Sequence, residues 1–341
     1  MKSAPDPAAL AADPAWLPHG FDPASETLRF VRLERAARRA LPFLDGRRIG
    51  PELERATAPL DALAFAPAEG ARCHFIFHSA FCGSTLLARA LDIEGRTLAL
   101  KEPNILGSLL QQAAAAGSAG AVERPLATVL ALLERPFEPG ETILIKPSDG
   151  ANPLAASMLA LRPQAKAVLL YRPLPQFLLS VVRRGQSGRL WARKHVSRFA
   201  RLPEYRLEAE VPPAGEIADL QVAALGWLQH QATFARLLSE LPDRVAAIEA
   251  EALFADPAGT LEKAARWFGL GLGSDEAAAI ASGPAFAREA KLADRDFDPA
   301  ARRREDAMAK FAYGEEIKAA VEWAEGLAAA SGIPMRLSNP G

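Results

Sequence analysis

Short apolar runs recur along the chain from residue 69 onward, and turn-forming or polar residues bound each of them. Five of these runs are apolar at nearly every position, which is typical of strands buried on both faces of a parallel sheet. They are His74–Phe77, Thr97–Leu100, Thr142–Ile145, Ala167–Tyr171 and Val245–Ile248. The pattern therefore predicts five strands of one parallel sheet.

Helical patterns occupy the intervals between these runs. They are Thr85–Leu91, Ile105–Ala116, Pro153–Leu161, Pro175–Arg184 and a last helix that Asp256 caps and Gly269 ends. Alternation of strands and helices implies right-handed crossovers and helices on both faces of the sheet. The predicted fold is a three-layer α/β/α domain with a central, mainly parallel sheet.

The first part of the chain has a less regular pattern than the rest. We expect residues 1–68 to form a partly helical N-terminal extension, with a helix over 24–44, and residues 69–335 to form the α/β domain. Apolar positions at Leu28, Val31 and Leu33 alternate there with arginines at mixed spacing.

Composition and charge narrow the classes of protein to consider. The 341 residues include 40 basic and 41 acidic side chains, so a nucleic acid or an anionic membrane is not an expected partner. Only Cys73 and Cys82 are present, which excludes a disulfide framework. The N-terminus lacks the apolar core of a secretory signal, and no run approaches the roughly 18 apolar residues of a membrane span. These features predict a cytoplasmic protein.

Polar residues follow four of the predicted strands directly. The loop His78–Thr85 follows the first, Lys101 and Glu102 the second, Lys146 the third and Arg172 the fourth. Ligands of parallel sheets bind outside the carboxyl ends of the strands, so these groups are expected to converge. A glycine-containing turn that opens a helix suits phosphate or sulfate.

The loop departs from the nucleoside-triphosphatase pattern G-x-x-x-x-G-K-[ST], because Ser84 stands where that pattern has lysine. Two further motifs lie downstream: an arginine at a strand end with a serine eight residues later, Arg172 and Ser180, and the segment 248–257 (IEAEALFADP). Together with Cys82-Gly83-Ser84-Thr85, they resemble the sulfotransferases that use 3′-phosphoadenosine-5′-phosphosulfate (PAPS), especially the bacterial and Golgi-type branch. The resemblance covers roughly residues 72–300.

The resemblance implies a P-loop-like fold, PAPS as co-substrate and a set of site residues. Cys82, Gly83, Ser84 and Thr85 would hold the 5′-phosphate end of the nucleotide, and Arg172 and Ser180 its 3′-phosphate, with Lys291 a further basic contact. Glu102 would deprotonate an acceptor hydroxyl or amine, and Lys146 would stabilise charge on the transferring group. His78 is a rival base, since histidine titrates in the useful range. No metal is expected, and the acceptor could be a small molecule, a glycan or a peptide.

One position departs from that family. Its basic loop residue is replaced here by Phe81, so either another cation such as Lys101 or Lys146 substitutes, or the protein binds nucleotide without transferring sulfate. An ATP-dependent phosphotransferase is a further alternative. The basic stretch 183–201 could be a solvated face, a lid over the cofactor or a surface for an anionic acceptor.

Overall fold

The computed structural model describes residues 5–63, 72–289, 292–296 and 299–339. The N-terminal extension contains two short helices and a three-stranded antiparallel sheet. Its elements are α1 (Pro7–Ala12), β1 (Trp16–Asp22), β2 (Thr27–Arg32), α2 (Arg35–Ala40) and β3 (Arg55–Pro59), with strand order β1-β2-β3. The extension is thus partly helical, as expected, and also contributes a small sheet.

The helix predicted over 24–44 is wrong in its extent. Only Arg35–Ala40 is helical, and Thr27–Arg32 is a strand paired on both sides. Thr27, Phe30 and Val31 are β-branched or aromatic residues, which favour a pleated, half-buried strand. Pairing with two neighbours outweighs the weak helical pattern of this segment.

The remaining elements build the α/β domain. Its first half comprises β4 (Arg72–His78), α3 (Ser84–Ala90), β5 (Thr97–Lys101), α4 (Asn104–Ala116), α5 (Glu123–Leu133), β6 (Thr142–Lys146), α6 (Ala155–Leu161), β7 (Ala167–Tyr171), α7 (Leu174–Val182) and α8 (Gly185–Phe199). Its second half comprises α9 (Asp219–Glu240), β8 (Val245–Glu249), α10 (Ala250–Ala255), α11 (Pro257–Phe268), α12 (Ser274–Ala281), α13 (Pro284–Ala287), β9 (Arg288–Glu289), β10 (Leu292–Asp296) and α14 (Pro299–Ala330).

The five predicted strands form one parallel sheet in the order β5-β6-β4-β7-β8. Successive residues of a strand face opposite cores: Phe75 and Phe77 pack with α4 and α5, whereas Ile76 packs with α3 and α11. Both faces of the sheet are therefore covered by helices. This confirms the predicted three-layer α/β/α architecture with a central parallel sheet.

Local signals in the sequence fix several helix boundaries. The Asp256 carboxylate accepts a hydrogen bond from the Gly259 N–H at 3.0 Å and caps α11, which ends at Gly269 in a left-handed conformation. The helix predicted as Pro175–Arg184 spans Leu174–Val182, and α8 begins directly at Gly185. No helix of the described residues is long and apolar enough to cross a bilayer.

The extension and the sheet share one hydrophobic core, and Arg135 ties them together. Its buried guanidinium donates hydrogen bonds to the main-chain carbonyls of Leu10, Ala11, Asp13 and Trp16, at 2.5 to 2.9 Å. Burial lowers the pKa of Arg135 to about 10, so the side chain stays charged at neutral pH. One side chain thus donates to four main-chain carbonyl groups of the extension.

Replacing Arg135 with methionine is expected to lower the free energy of unfolding by about 3 kcal/mol or more, because buried carbonyls lose their donors. Urea unfolding measures the change. Arg124→Gln is the matched control: Arg124 also joins the extension to the domain, through Glu26 and Asp61, but it is more than half exposed, so we expect little change. Equal effects of the two substitutions would contradict this account.

Candidate functional site

Two clefts that share part of their walls open at the carboxyl edge of the sheet. The loop cleft, about 360 Å³, is lined by the segment 80–86 together with His78, Glu102 and Arg184. The outer cleft, about 510 Å³, is lined by Lys194, His195 and Arg198 of α8 among others. Their shared wall consists of Arg47, Glu102, Asp149 and Trp191.

The loop between β4 and α3 turns sharply, with left-handed backbone at three positions. Ala80, Phe81 and Gly83 have φ values of 64°, 51° and 80°. Gly83 meets two requirements at once, because a Cβ there would also lie 3.0 Å from the Phe254 ring. Such strain in non-glycine residues persists only where the surroundings enforce it, and it is concentrated at functional sites. Ser84 and Thr85 follow as the first residues of α3 and line the loop cleft.

Lys146 and Glu102 form an ion pair at the ends of neighbouring strands. The Lys146 Nζ lies 2.6 Å from Glu102 Oε1, with the lysine fully buried and the glutamate side chain 17% exposed. Glu102 has a left-handed φ of 55°, and its N–H donates to the Lys146 carbonyl at 2.7 Å. This turn brings the carboxylate to the wall between the clefts.

Lys101 does not join this group, which corrects its expected role as a substitute cation. Its ammonium donates to the Arg39 carbonyl at 2.9 Å and lies 3.7 Å from the buried Asp92 carboxylate. Lys101 is the last residue of β5, whereas Glu102 lies beyond the strand in a turn with left-handed backbone, so their side chains take different directions. Burial lowers the pKa of Lys101 to about 8.

Arg172 and Ser180 lie together, as the resemblance to the sulfotransferases implied. The Arg172 Nη1 donates to Ser180 Oγ at 2.8 Å and lies 3.5 Å from the Phe81 carbonyl of the loop. Its Nε donates to Glu251 Oε1 at 2.9 Å, while Glu251 Oε2 is buried without a hydrogen-bond partner in the described structure. The guanidinium is thus held next to the loop that contains Gly83.

Arg184 supplies a cation to the loop, and nothing in the sequence indicated this contact. Its guanidinium lies over the Phe81 ring, 3.9 Å from the centroid, and lines the loop cleft. Desolvation, together with the neighbouring Arg183, Arg302 and Arg172, lowers the pKa of Arg184 to about 10, so it remains charged at neutral pH. The aromatic residue at the position of the family's basic residue therefore carries a cation on its face.

The side chains of His78 and Cys82 both form hydrogen bonds with main-chain groups. His78 Nδ1 accepts from the Ala80 N–H at 3.2 Å, so Nε2 carries the proton and donates to the Pro147 carbonyl at 3.1 Å. Both ring nitrogens thus form hydrogen bonds with main-chain groups. The Cys82 thiol is fully buried and donates to the Leu170 carbonyl, so only its main chain can face a ligand. Lys291 lies outside the described residues.

A chain of buried polar groups runs from the wall of the clefts into α9. Asn152 Nδ2 donates to the His78 carbonyl and also to His230 Nδ1 at 3.0 Å, so that nitrogen is an acceptor. The proton of His230 is therefore on Nε2, which lies 3.1 Å from His195 Nε2. It follows that His195 carries its own proton on Nδ1, 3.5 Å from Asp149 Oδ2. Both imidazoles are neutral, because burial lowers the pKa of His195 and of His230 to about 3.

No family model matches this chain, and no curated protein sequence matches it. Solved structures that match it in part include sulfotransferases. The sulfotransferase domain from the curacin biosynthetic pathway is 17% identical, with 72% of this chain and 90% of that chain covered and a TM-score of 0.42. A sulfotransferase from Alicyclobacillus acidocaldarius is 16% identical (77% and 97% covered, TM-score 0.41), and one from Mycobacterium tuberculosis is 15% identical (65% and 75% covered, TM-score 0.41).

The buried histidines are expected to make the protein sensitive to acid. Burial lowers the pKa of His74 to about 4 and those of His195 and His230 to about 3, whereas in the unfolded chain each takes up a proton near pH 6.5. Their contribution to stability is therefore complete above pH 6.5 and declines below it. Between pH 7 and pH 5, we expect each histidine to reduce the free energy of unfolding by about 2 kcal/mol.

Urea unfolding at several pH values measures this loss. His74→Asn removes one of the three groups while keeping an acceptor for the Lys166 N–H, which His74 Nδ1 binds at 3.0 Å. Its stability should fall less steeply with decreasing pH than that of the wild type, by about one third of the histidine contribution. Identical slopes would contradict the assignment.

Proposed function

We propose that the protein transfers a sulfuryl group from PAPS to the hydroxyl or amine of a small acceptor. The observation that carries the proposal is the Lys146–Glu102 pair, 2.6 Å apart, in which Glu102 lines the cleft of the Gly83 loop and the buried Lys146 lies directly behind it. A base and a cation that lie side by side at a strand-end phosphate loop match the needs of in-line transfer of an anionic group. The motif order of the sequence supports the same function.

The side chains around the loop suit a nucleotide with phosphates at two positions. Arg184 faces the loop cleft, whereas Arg172 is held by Ser180 and Glu251 near the Phe81 carbonyl of the loop. Guanidinium groups bind phosphate with paired, charge-assisted hydrogen bonds. Glu251 Oε2 is a buried acceptor that lacks a donor, and an amino or hydroxyl group of the nucleoside would satisfy it. In this assignment Arg172 and Ser180 bind the 3′-phosphate, and Gly83, Ser84, Thr85 and Arg184 bind the 5′ end.

Glu102 acts as the general base in this proposal. Its carboxylate accepts the proton of the acceptor hydroxyl while the acceptor oxygen forms a bond to sulfur. The bond from sulfur to the bridging phosphate oxygen breaks, and the desulfated nucleotide leaves with the electron pair. Lys146 Nζ offsets the charge that grows on the departing oxygen, as a compact ammonium does well. PAPS supplies the sulfuryl group, and the chain supplies positioning and electrostatics.

Arg184 supplies the positive charge that the loop lacks because Phe81 stands at the position of the family's basic residue. Loss of a loop cation would weaken stabilisation of the transferring group by several kcal/mol. Stacking of Arg184 on Phe81 restores a positive charge at the loop from a different segment of the chain. Phosphoryl transfer from ATP is disfavoured because Ser84 lacks the amine of the nucleoside-triphosphatase loop.

Nucleotide binding tests the two arginines against each other. Arg172→Ala should weaken the binding of adenosine 3′,5′-bisphosphate by about 10- to 100-fold. The binding of adenosine 5′-phosphate should weaken much less, because this nucleotide has no 3′-phosphate. Arg184→Gln should weaken both nucleotides by similar factors, since it acts at the 5′ end. Calorimetry measures the affinities, with the exposed Glu94→Gln as control. Preference of the wild type for ATP, or equal losses in Arg172→Ala, would contradict the proposal.

Glu102→Gln separates binding from chemistry. Loss of the base should lower kcat for release of the bisphosphate from PAPS, with a panel of phenolic acceptors, by about 10²- to 10⁴-fold. The same variant should bind the bisphosphate at least as tightly as the wild type, because the Lys146 charge is no longer neutralised by its partner. An unchanged kcat would show that Glu102 is not the general base. Weaker nucleotide binding would indicate a structural role instead.

A further inference from the structure

One face of α8 lines the outer cleft. Trp191, Lys194, His195 and Arg198 are spaced at i, i+3, i+4 and i+7, which places them on one side of the helix, and all four line this cleft. Glu102 lines the same cleft from the sheet edge. The outer cleft is therefore the space next to the proposed base that the nucleotide assignment leaves open.

The basic residues of α8 fall into two groups. Arg189 pairs with Glu316, and Arg193 pairs with Asp219, both away from the cleft. By contrast, neither the Lys194 ammonium nor the Arg198 guanidinium has a hydrogen bond or an ion pair with any residue in the described ranges. The two cations that face the cleft are thus uncommitted, whereas those on the other side of the helix are neutralised.

The position of Arg198 is shaped by a glycine. Its Nη1 would lie 3.1 Å from a Cβ at the buried Gly150, which also lines the cleft, and Ser148 Oγ would lie 3.7 Å from the same point. The missing side chain lets the guanidinium lie against the 148–150 segment, beside a hydroxyl. Arg198 is half-buried there, so its charge is less screened than that of a fully exposed arginine.

The remaining charges of the outer cleft leave a positive excess. Asp45 pairs with Arg47, and Glu102 pairs with Lys146. Asp149 is the one remaining carboxylate among the residues that line this cleft, and it faces His195 Nδ1 at 3.5 Å. Two uncommitted cations against one carboxylate favour an anionic ligand. Trp191 gives the body of such a ligand an aromatic wall.

From this arrangement we infer that the acceptor is an anionic small molecule, with a hydroxyl or amine that reaches Glu102 and a carboxylate, sulfate or phosphate group that binds Lys194 and Arg198. This inference rests on the proposed function for the identity of the outer cleft as the acceptor site. The choice of an anionic ligand rests only on the charges of the outer cleft. The basic residues of the stretch 183–201 therefore have three different roles: contact with the loop, binding of the acceptor and formation of ion pairs at the surface.

The test uses two probes of similar size and shape, 4-hydroxyphenylacetate and its neutral amide, 4-hydroxyphenylacetamide. Binding to the full chain is measured by ligand-observed NMR at low ionic strength. We expect the acid to bind about five- to tenfold more tightly than the amide. The double variant Lys194→Gln/Arg198→Gln should bind both probes with the affinity that the wild type has for the amide. Arg201→Gln, an exposed basic residue that does not line the cleft, should keep the wild-type preference.

Each outcome decides the question. Equal affinities of acid and amide in the wild type, absence of acid binding, or a preference that survives in the double variant would overturn the inference. Weaker binding of adenosine 3′,5′-bisphosphate by the double variant, with the acid preference intact, would make this helix face part of the nucleotide site instead. If the wild type prefers the acid but does not bind the bisphosphate, the proposed function fails while the anion site stands.

Discussion

The buried Lys146 ammonium is the constraint on which the arrangement of the site depends. A charged amine without solvent contact is costly unless a partner and hydrogen bonds compensate it. Glu102 is that partner, and its left-handed backbone places the carboxylate where β5 and β6 end side by side. The parallel register of the sheet brings the two residues together, and the ion pair in turn holds the mouth of the loop cleft in shape.

Much of the fold could be predicted from local patterns. All five strands of the central sheet lie where continuous apolar runs indicated them, because burial on both faces leaves no polar position inside such a strand. The ends of α11 could be predicted equally well, since Asp256 and Gly269 act through their own neighbours. The small sheet of the extension could not, because its strands depend on pairing between segments and on a core shared with the domain.

The site shows the same division between local and long-range information. The pairing of Arg172 with Ser180 follows from a fixed spacing along one strand and one helix, and it could be anticipated. The separation of Lys101 from the site follows from the left-handed turn at Glu102 and from the contact of Lys101 with the buried Asp92, and no local pattern indicates either of them. The contact between Arg184 and Phe81 joins residues about one hundred positions apart, and no periodicity signals it. The signal that could have pointed to it was the lack of a cation in the loop itself.

Helix α8 links two regions of the molecule that bind different partners in our proposals. Arg184 precedes its first residue and lies at the loop, whereas Lys194 and Arg198 project from its middle and last turns into the outer cleft. A helix moves largely as one rigid element, so any repositioning of its first turn is felt along its length. If a ligand at one end displaced the helix, affinity at the other end would change, and thermodynamic reciprocity would make the two effects equal. The binding of donor and the binding of acceptor would thus be coupled through helix α8 rather than through direct contact between the two ligands.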